Sequence, residues 1–196
     1  MSKKLRKSSA GKLRIIGGMW RSRFLQVADL PGLRPTTDRV RETLFNWLQN
    51  DVPGAHCLDL FAGSGALSFE SSSRGAASVT MIENQRQAAG VLSANVRDLK
   101  AQGMQLLQCD ALSWLSKPAE AKYDVVFIDP PFDSDYLSQA CELLESNQYL
   151  AEFACIYLEM NRKQDLPELP ENWNVVRQKK AGQVSYYLVR RNFVSD

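Results

Sequence analysis

Asp129, Pro130, Pro131 and Phe132 close the segment YDVVFIDPPF and carry the most specific chemistry in this chain. Val125, Val126, Phe127 and Ile128 ahead of them are β-branched or aromatic without interruption, the composition of a parallel strand buried on both faces. Proline has no N–H and holds the residue before it extended, so the chain leaves such a strand as a stiff arm. The Asp129 carboxylate and the Pro130 carbonyl then form a corner that accepts hydrogen bonds and donates none. With an aromatic ring beside it, that corner suits a planar heterocycle bearing an amino group, Phe132 lying against its face. A plain strand-to-loop exit uses the same residue types, and these four alone do not separate the two readings.

A second group lies upstream, where Asp59, Leu60, Phe61, Ala62, Gly63, Ser64 and Gly65 lead a strand into a glycine turn and at once into a helix. Glycines let a backbone approach a ligand closely, and the helix start offers free N–H donors. In a doubly wound sheet this crevice is the default place for a nucleoside-containing cofactor. Glu83, 20 residues beyond Gly63, ends the next predicted strand, where a carboxylate reaches ribose hydroxyls. Asp110 ends the third, placed either for an adenine edge or as the cap of the following helix. A dinucleotide fingerprint needs a third glycine where Ser68 stands, and the lone histidine, His56, falls at a strand start, so a dehydrogenase is disfavoured.

Holding these residues at successive strand ends requires strands and helices in alternation. From His56 onward the patterning predicts strands at 57–61, 79–83, 104–108, 124–129 and 154–159, and helices at 66–73, 85–99, 111–115 and 136–144. Residues 173–179 and 184–190 predict an antiparallel hairpin that finishes the sheet. Ahead of this series, 13–17 and 23–27 predict a small hairpin around the turn-prone Gly17 and Gly18, and residues 1–12 read as disordered. A helix over 38–49 places Val40, Leu44, Trp47 and Leu48 on one face, with Thr37 or Asp38 as its cap. Arg34, Thr36, Arg39 and Arg41 gather at its start, where free N–H groups favour an anion or where the arginines simply face solvent. The fold class is α/β: a basic arm and hairpin over 1–36, then a doubly wound, mostly parallel domain over 37–196.

Composition sets bounds on function. At 196 residues and 44% hydrophobic the chain buries one ordinary core. Cys57, Cys109, Cys141 and Cys155 are widely spaced with no CxxC, which disfavours a zinc site or a disulfide scaffold and points to a reducing cytosol. No run approaches the roughly 20 apolar residues of a membrane span. The net charge of +2 is unevenly distributed: residues 1–23 hold eight lysines and arginines and no acid, which leaves the remainder at −6. Such a basic arm contacts phosphates without reading sequence, and Trp20 and Phe24 add an aromatic surface beside flexible Gly17 and Gly18.

The order GxG, Glu83, Asp110 and DPPF along successive strand ends resembles the class I S-adenosylmethionine-dependent methyltransferases, where a DPPF-type motif marks methylation of an amino group. Together the runs LRIIGGMWR, GLRPTTDRVRETLFNWL, LDLFAGSGAL, FIDPPF and AGQVSYYL resemble the RsmD family, bacterial enzymes that methylate N2 of a guanine in 16S ribosomal RNA. The resemblance implies a Rossmann-like methyltransferase fold and a cytoplasmic monomer that uses S-adenosyl-L-methionine on assembled or partly assembled small ribosomal subunits. It further implies that Asp59, Phe61, Gly63 and Gly65 surround the methionine part of the cofactor, with Arg34 and Thr36 closing over it. Glu83 would hold the ribose, Asp110 and Ala111 the adenine, and Asp129, Pro130 and Phe132 the guanine. An amino methyltransferase acting on DNA adenine or protein glutamine shares this core but more often carries Asn or Tyr in the DPPF positions. A non-catalytic RNA-binding assembly factor keeps the fold and binds no cofactor.

Overall fold

The computed structural model describes residues 11–31, 36–131 and 135–192. The chain opens with a hairpin of β1 (Gly11–Arg14) and β2 (Phe24–Val27), followed by α1 (Asp38–Trp47). Then β3 (His56–Asp59), α2 (Ala66–Ser73), β4 (Ser78–Ile82), α3 (Arg86–Leu99), β5 (Met104–Leu107), α4 (Ala111–Leu115), β6 (Tyr123–Ile128) and α5 (Tyr136–Ser146) alternate. Three strands finish it: β7 (Leu150–Asn161), β8 (Trp173–Ala181) and β9 (Val184–Arg191). The main sheet has seven strands in the order β5-β4-β3-β6-β7-β9-β8, parallel up to β7 and antiparallel beyond. Strand order reverses between β3 and β6, and a crevice opens outside their carboxyl ends.

Both faces of the central strands are covered, which is why they read as unbroken apolar runs. On β6, Val125 and Phe127 join a core with Phe45, Phe69 and Leu92, while Val126 and Ile128 join one with Leu115, Leu144 and Ile156. Strand β7 is longer than the predicted 154–159 at both ends: Leu150 pairs with Tyr123 ahead of a register shift, and β9 pairs with β7 from Cys155 to Asn161, carrying the ladder past the end of β6.

The N-terminal hairpin is no free appendage. Leu13, Ile15, Leu25 and Val27 enter the same core as α1, α2 and α3. Gly11 and Lys12, expected to be disordered, pair with Val27 and Gln26, and Asn95 on α3 bonds both the N–H and the carbonyl of Gln26. Gly17 and Gly18, expected as a flexible turn, are instead a docking point on the C-terminus of α2. There the Met19 N–H reaches the Ser73 carbonyl at 2.7 Å, and the Ser73 hydroxyl donates to the Gly17 carbonyl at 2.6 Å. Helix ends leave carbonyls unpaired, and this loop supplies one of the missing donors. Gly18 has φ +72°, and a Cβ there would sit 1.8 Å from the Ser73 carbonyl oxygen. Gly18→Ala therefore costs about 1–3 kcal/mol from backbone conformation alone and pushes the hairpin off α2. The urea midpoint should fall and trypsin cleavage after Arg21 and Arg23 should accelerate; an unchanged midpoint with unchanged cleavage would remove the docking role.

Candidate active site

Strand ends β3, β4, β5, β6 and β7 converge on a cavity of about 700 Å³ whose lining includes Asp59, Gly63, Glu83, Asp110, Asp129 and Glu159. Its floor is the glycine turn. Gly63 and Gly65 both adopt positive φ, +51° and +77°, but only Gly63 lines the cavity among the described residues. A Cβ on Gly65 would lie 2.7 Å from Leu92 and from the Phe69 ring, so this glycine serves the packing of α2 on α3. Ser68, standing where a dinucleotide fingerprint has its third glycine, donates its hydroxyl to Asp59 at 2.5 Å. Burial pushes the Asp59 carboxyl up to about 6, against the hydrogen bonds from Ser68 and the backbone and with added push from Glu83.

Glu83 accepts from the Gly63 N–H at 2.8 Å through one oxygen and from the Gln85 N–H at 2.7 Å through the other. These bonds fix the carboxylate against the turn and leave one lone pair on each oxygen for a ligand hydroxyl. Asp110 caps α4, accepting from the Ser113 N–H at 2.8 Å through one oxygen, and it lines the cavity too; the two sequence alternatives hold together. Ala111 is buried in the wall beside it. Phe61 is a half-buried wall residue stacked on Tyr136, centroids 5.9 Å apart and planes 16° apart.

At the end of β6, Pro130 is buried and Asp129 is half-buried, both facing this cavity. Burial raises the Asp129 carboxyl well above its usual range, the charges of Glu159 and Asp59 raise it further, and a hydrogen bond with the Thr36 side chain opposes them. Thr36, expected over the cofactor, lines the same cavity as the acceptor corner. Phe132 and Arg34 lie outside the described residues. The anion site expected at the start of α1 does not form around Arg41. That side chain is fully buried, paired with Asp38 at 2.5 Å and with Glu70 at 3.4 Å, and turned away from the cavity. Thr37, not Asp38, caps α1 through the Val40 N–H.

Sequence reasoning passed over Glu159, Tyr136 and Lys180, which also line the cavity. Glu159 carried the same signal as Glu83, Asp110 and Asp129, an acid closing a predicted strand. Tyr136 and Lys180 carried none.

The donor set decides what fits. Among the described residues five carboxylates line the cavity against Arg39 and Lys180, so a pyrophosphate would meet net repulsion and a cationic ligand attraction. Ribose hydroxyls find free acceptors at Glu83, an aminated purine finds one at Asp110, and an ammonium or sulfonium is favoured beside Asp59 and Asp129. S-adenosylmethionine has all of these groups.

Residues 13–190 match the family described as conserved hypothetical protein 95. Ribosomal RNA small subunit methyltransferase D of Escherichia coli strain K12 is 49% identical over 189 residues, covering 96% of this chain and 95% of that protein. The Haemophilus influenzae protein of the same name is 44% identical over 184 residues, covering 92% of this chain and 95% of its own length. Among solved structures, yhhF from Escherichia coli superposes with a TM-score of 0.86 at 47% identity, covering 94% of this chain and 100% of that one.

Proposed function

As this chain belongs to the RsmD family of methyltransferases, we propose that it methylates the exocyclic N2 amine of a loop guanine in 16S ribosomal RNA. S-adenosylmethionine is the methyl donor. The observation that carries the reading is the acceptor corner at Asp129 and Pro130, which opens into the same cavity as the carboxylates suited to a cationic nucleoside.

In this reading Glu83 takes the ribose hydroxyls, Asp110 and Ala111 take the adenine, and Asp59, Phe61 and Gly63 enclose the methionine part, with Arg34 and Thr36 at the opening and Gly65 shaping the turn. Bound there, S-adenosylmethionine supplies an electrophilic methyl on a sulfonium. The guanine amine is a poor nucleophile because its lone pair is delocalised into the ring. Asp129 and the Pro130 carbonyl accept its two hydrogens, favour a pyramidal nitrogen and turn the lone pair toward the cofactor, while Phe132 lies on the base. As the nitrogen becomes cationic, Asp129 stabilises it more than it stabilised the neutral amine, and that difference accelerates the step. The proton shed by the nitrogen passes to Asp129 or to water. A paired base cannot reach this corner, so the target is an unstacked loop nucleotide presented by a folded or partly assembled subunit.

The basic segment before α1 supplies phosphate contacts. Lys12, Arg14, Arg21 and Arg23 are exposed on or beside the hairpin, as are the large apolar side chains of Met19 and Phe24. Deleting residues 1–10, which removes four lysines and arginines, should weaken RNA binding and lower the slope of log affinity against log salt by about 3–4. An unchanged slope in salt-titrated filter binding would make the segment a solubility tail. No helix among the described residues is long and apolar enough to cross a membrane, and a cytoplasmic monomer is the form proposed. The decisive experiment maps N2-methylguanine in 16S RNA from a strain lacking the gene and supplies the purified protein to its subunits and to bare RNA. If no guanine loses its methyl group in the deletion strain, the assignment falls.

A further inference from the structure

Glu159 is a carboxylate of the cavity that the reaction above leaves without a task. On the parallel ladder Ile128 pairs with Leu158, so Asp129, just past the end of β6, and Glu159, still within β7, stand side by side about one strand spacing of 5 Å apart. They lie two residues beyond Phe127 and Tyr157 and so project to the same face as those rings. Glu159 is only 5% exposed, yet it lines the cavity. Its orientation is fixed from below: the Tyr157 hydroxyl donates to one carboxylate oxygen at 2.5 Å. The Tyr157 ring is itself fully buried between Phe127 and Tyr186, at centroid distances of 6.3 and 6.2 Å. The other oxygen has no hydrogen bond to a described residue. Glu159 itself belongs to the wall of the cavity, beside Asp129 and Pro130. A carboxylate so far removed from water is costly unless a donor meets it.

Amino bases differ in what sits beside the amine. Guanine presents a ring N1–H next to its exocyclic N2 amine, two kinds of donor in a row, whereas adenine and cytosine present an unprotonated ring nitrogen there. Two adjacent acceptors match the guanine edge alone. Resting on the guanine-N2 reading above, we propose that Glu159 selects the base: its free oxygen accepts the N1–H while Asp129 and Pro130 accept from the neighbouring amine. Tyr157 is then a positioning residue, aiming Glu159 without touching substrate. Among the described residues the charged and titratable groups around Glu159 are Asp129 just past β6, Tyr157 on its own strand, Tyr186 opposite it on β9, Lys180 on β8 and Asp59 on β3.

The test uses reconstituted small subunits carrying either guanine or 2-aminopurine at the methylated position. 2-Aminopurine keeps the amine and lacks the N1 hydrogen. Single-turnover methyl transfer by the wild-type enzyme should favour guanine by about 100-fold or more, since a buried acceptor is left unpaired by the analogue. In Glu159→Gln the amide nitrogen donates to the unprotonated N1, and the preference should shrink to about tenfold or less. Tyr157→Phe, which keeps the buried ring, should fall between the two and carries the test if the glutamine variant does not fold. S-adenosylhomocysteine binding by calorimetry, unchanged in the variants, separates base selection from damage to the cofactor site. An identical guanine preference in wild type and both variants, or an equal loss on both bases, overturns the role of Glu159. A wild-type enzyme that leaves no N2-methylguanine on guanine subunits instead overturns the function on which the proposal rests.

Discussion

Asp129→Ala should lower turnover by about 10²- to 10³-fold while S-adenosylmethionine affinity stays within a few-fold of wild type. The split follows from topology: Asp129 follows the end of β6, whereas the groups that fit the nucleoside stand at or just past the ends of β3, β4 and β5. Removing an acceptor used chiefly as the nitrogen becomes cationic strips stabilisation from the transition state and little from the ground state. Calorimetry gives the affinity and single-turnover methyl transfer gives the rate; equal rates for wild type and variant would sink the assigned role. The pH profile adds a second signature. Burial, then the charges of Glu159 and Asp59, hold the Asp129 carboxyl well above the ordinary 3.8, with Thr36 opposing. The active form is the carboxylate, so activity is lost as pH falls through that raised value, earlier than for an exposed aspartate. Glu159→Gln removes one of the repelling charges, so its acid limb should move to lower pH. An acid limb at the ordinary aspartate position in the wild type would mean that Asp129 is solvated.

Glu70→Ala should destabilise the protein by about 3–5 kcal/mol, a loss of roughly 10–15 °C in Tm for a chain of this size. Glu70 has no exposed surface and accepts from Arg41 at 3.4 Å, from Arg74 at 2.7 Å and from the Ile16 N–H at 2.9 Å. Truncating it removes the buried carboxylate from Arg41, a guanidinium that is itself fully buried, and leaves it only the half-exposed Asp38 as an ionic partner; breaking a buried pair from one side costs more than the pair was worth. Replacing both, as Glu70→Leu with Arg41→Met, should recover most of the loss by the same reasoning. Thermal unfolding followed by circular dichroism decides it; a drop of under 2 °C for the single variant would contradict the burial argument. The network also bears on activity. Arg41 donates to the Thr36 carbonyl at 3.2 Å, and Thr36 lines the cavity with Asp129, so the single variant should lose rate even at temperatures where it stays folded.

The sheet was legible because parallel strands covered on both faces need uninterrupted apolar residues, and a strand end is marked wherever such a run meets an acid or a glycine. By that signal Asp59, Glu83, Asp110 and Asp129 were placed on one rim, and they share one cavity. Glu159 bore the same mark without being used. Other features were invisible for a physical reason: each depends on a partner remote in sequence. Arg41 looks like an exposed arginine until Glu70, 29 residues away, is set beside it. Gly17 and Gly18 look like a pliable turn until Ser73, 56 residues beyond Gly17, is found against them. Ser68 looked only like a missing glycine, whereas it holds Asp59 nine residues back. Periodicity reports which face of an element is covered, and it is silent on what covers it.

Strand β8 closes the far side of the sheet with one flank unpaired among the described residues. An open flank of this kind invites a second chain to add itself as a further strand. Here Arg177, Lys179 and Lys180 stand exposed along it, and an irregularity between Val175 and Arg177 breaks the straight run of the backbone. Two molecules meeting flank to flank would bring like charges together on a kinked rail, so growth into stacked ribbons is resisted by electrostatics and shape at once, despite the outward-facing Val175 and Val176.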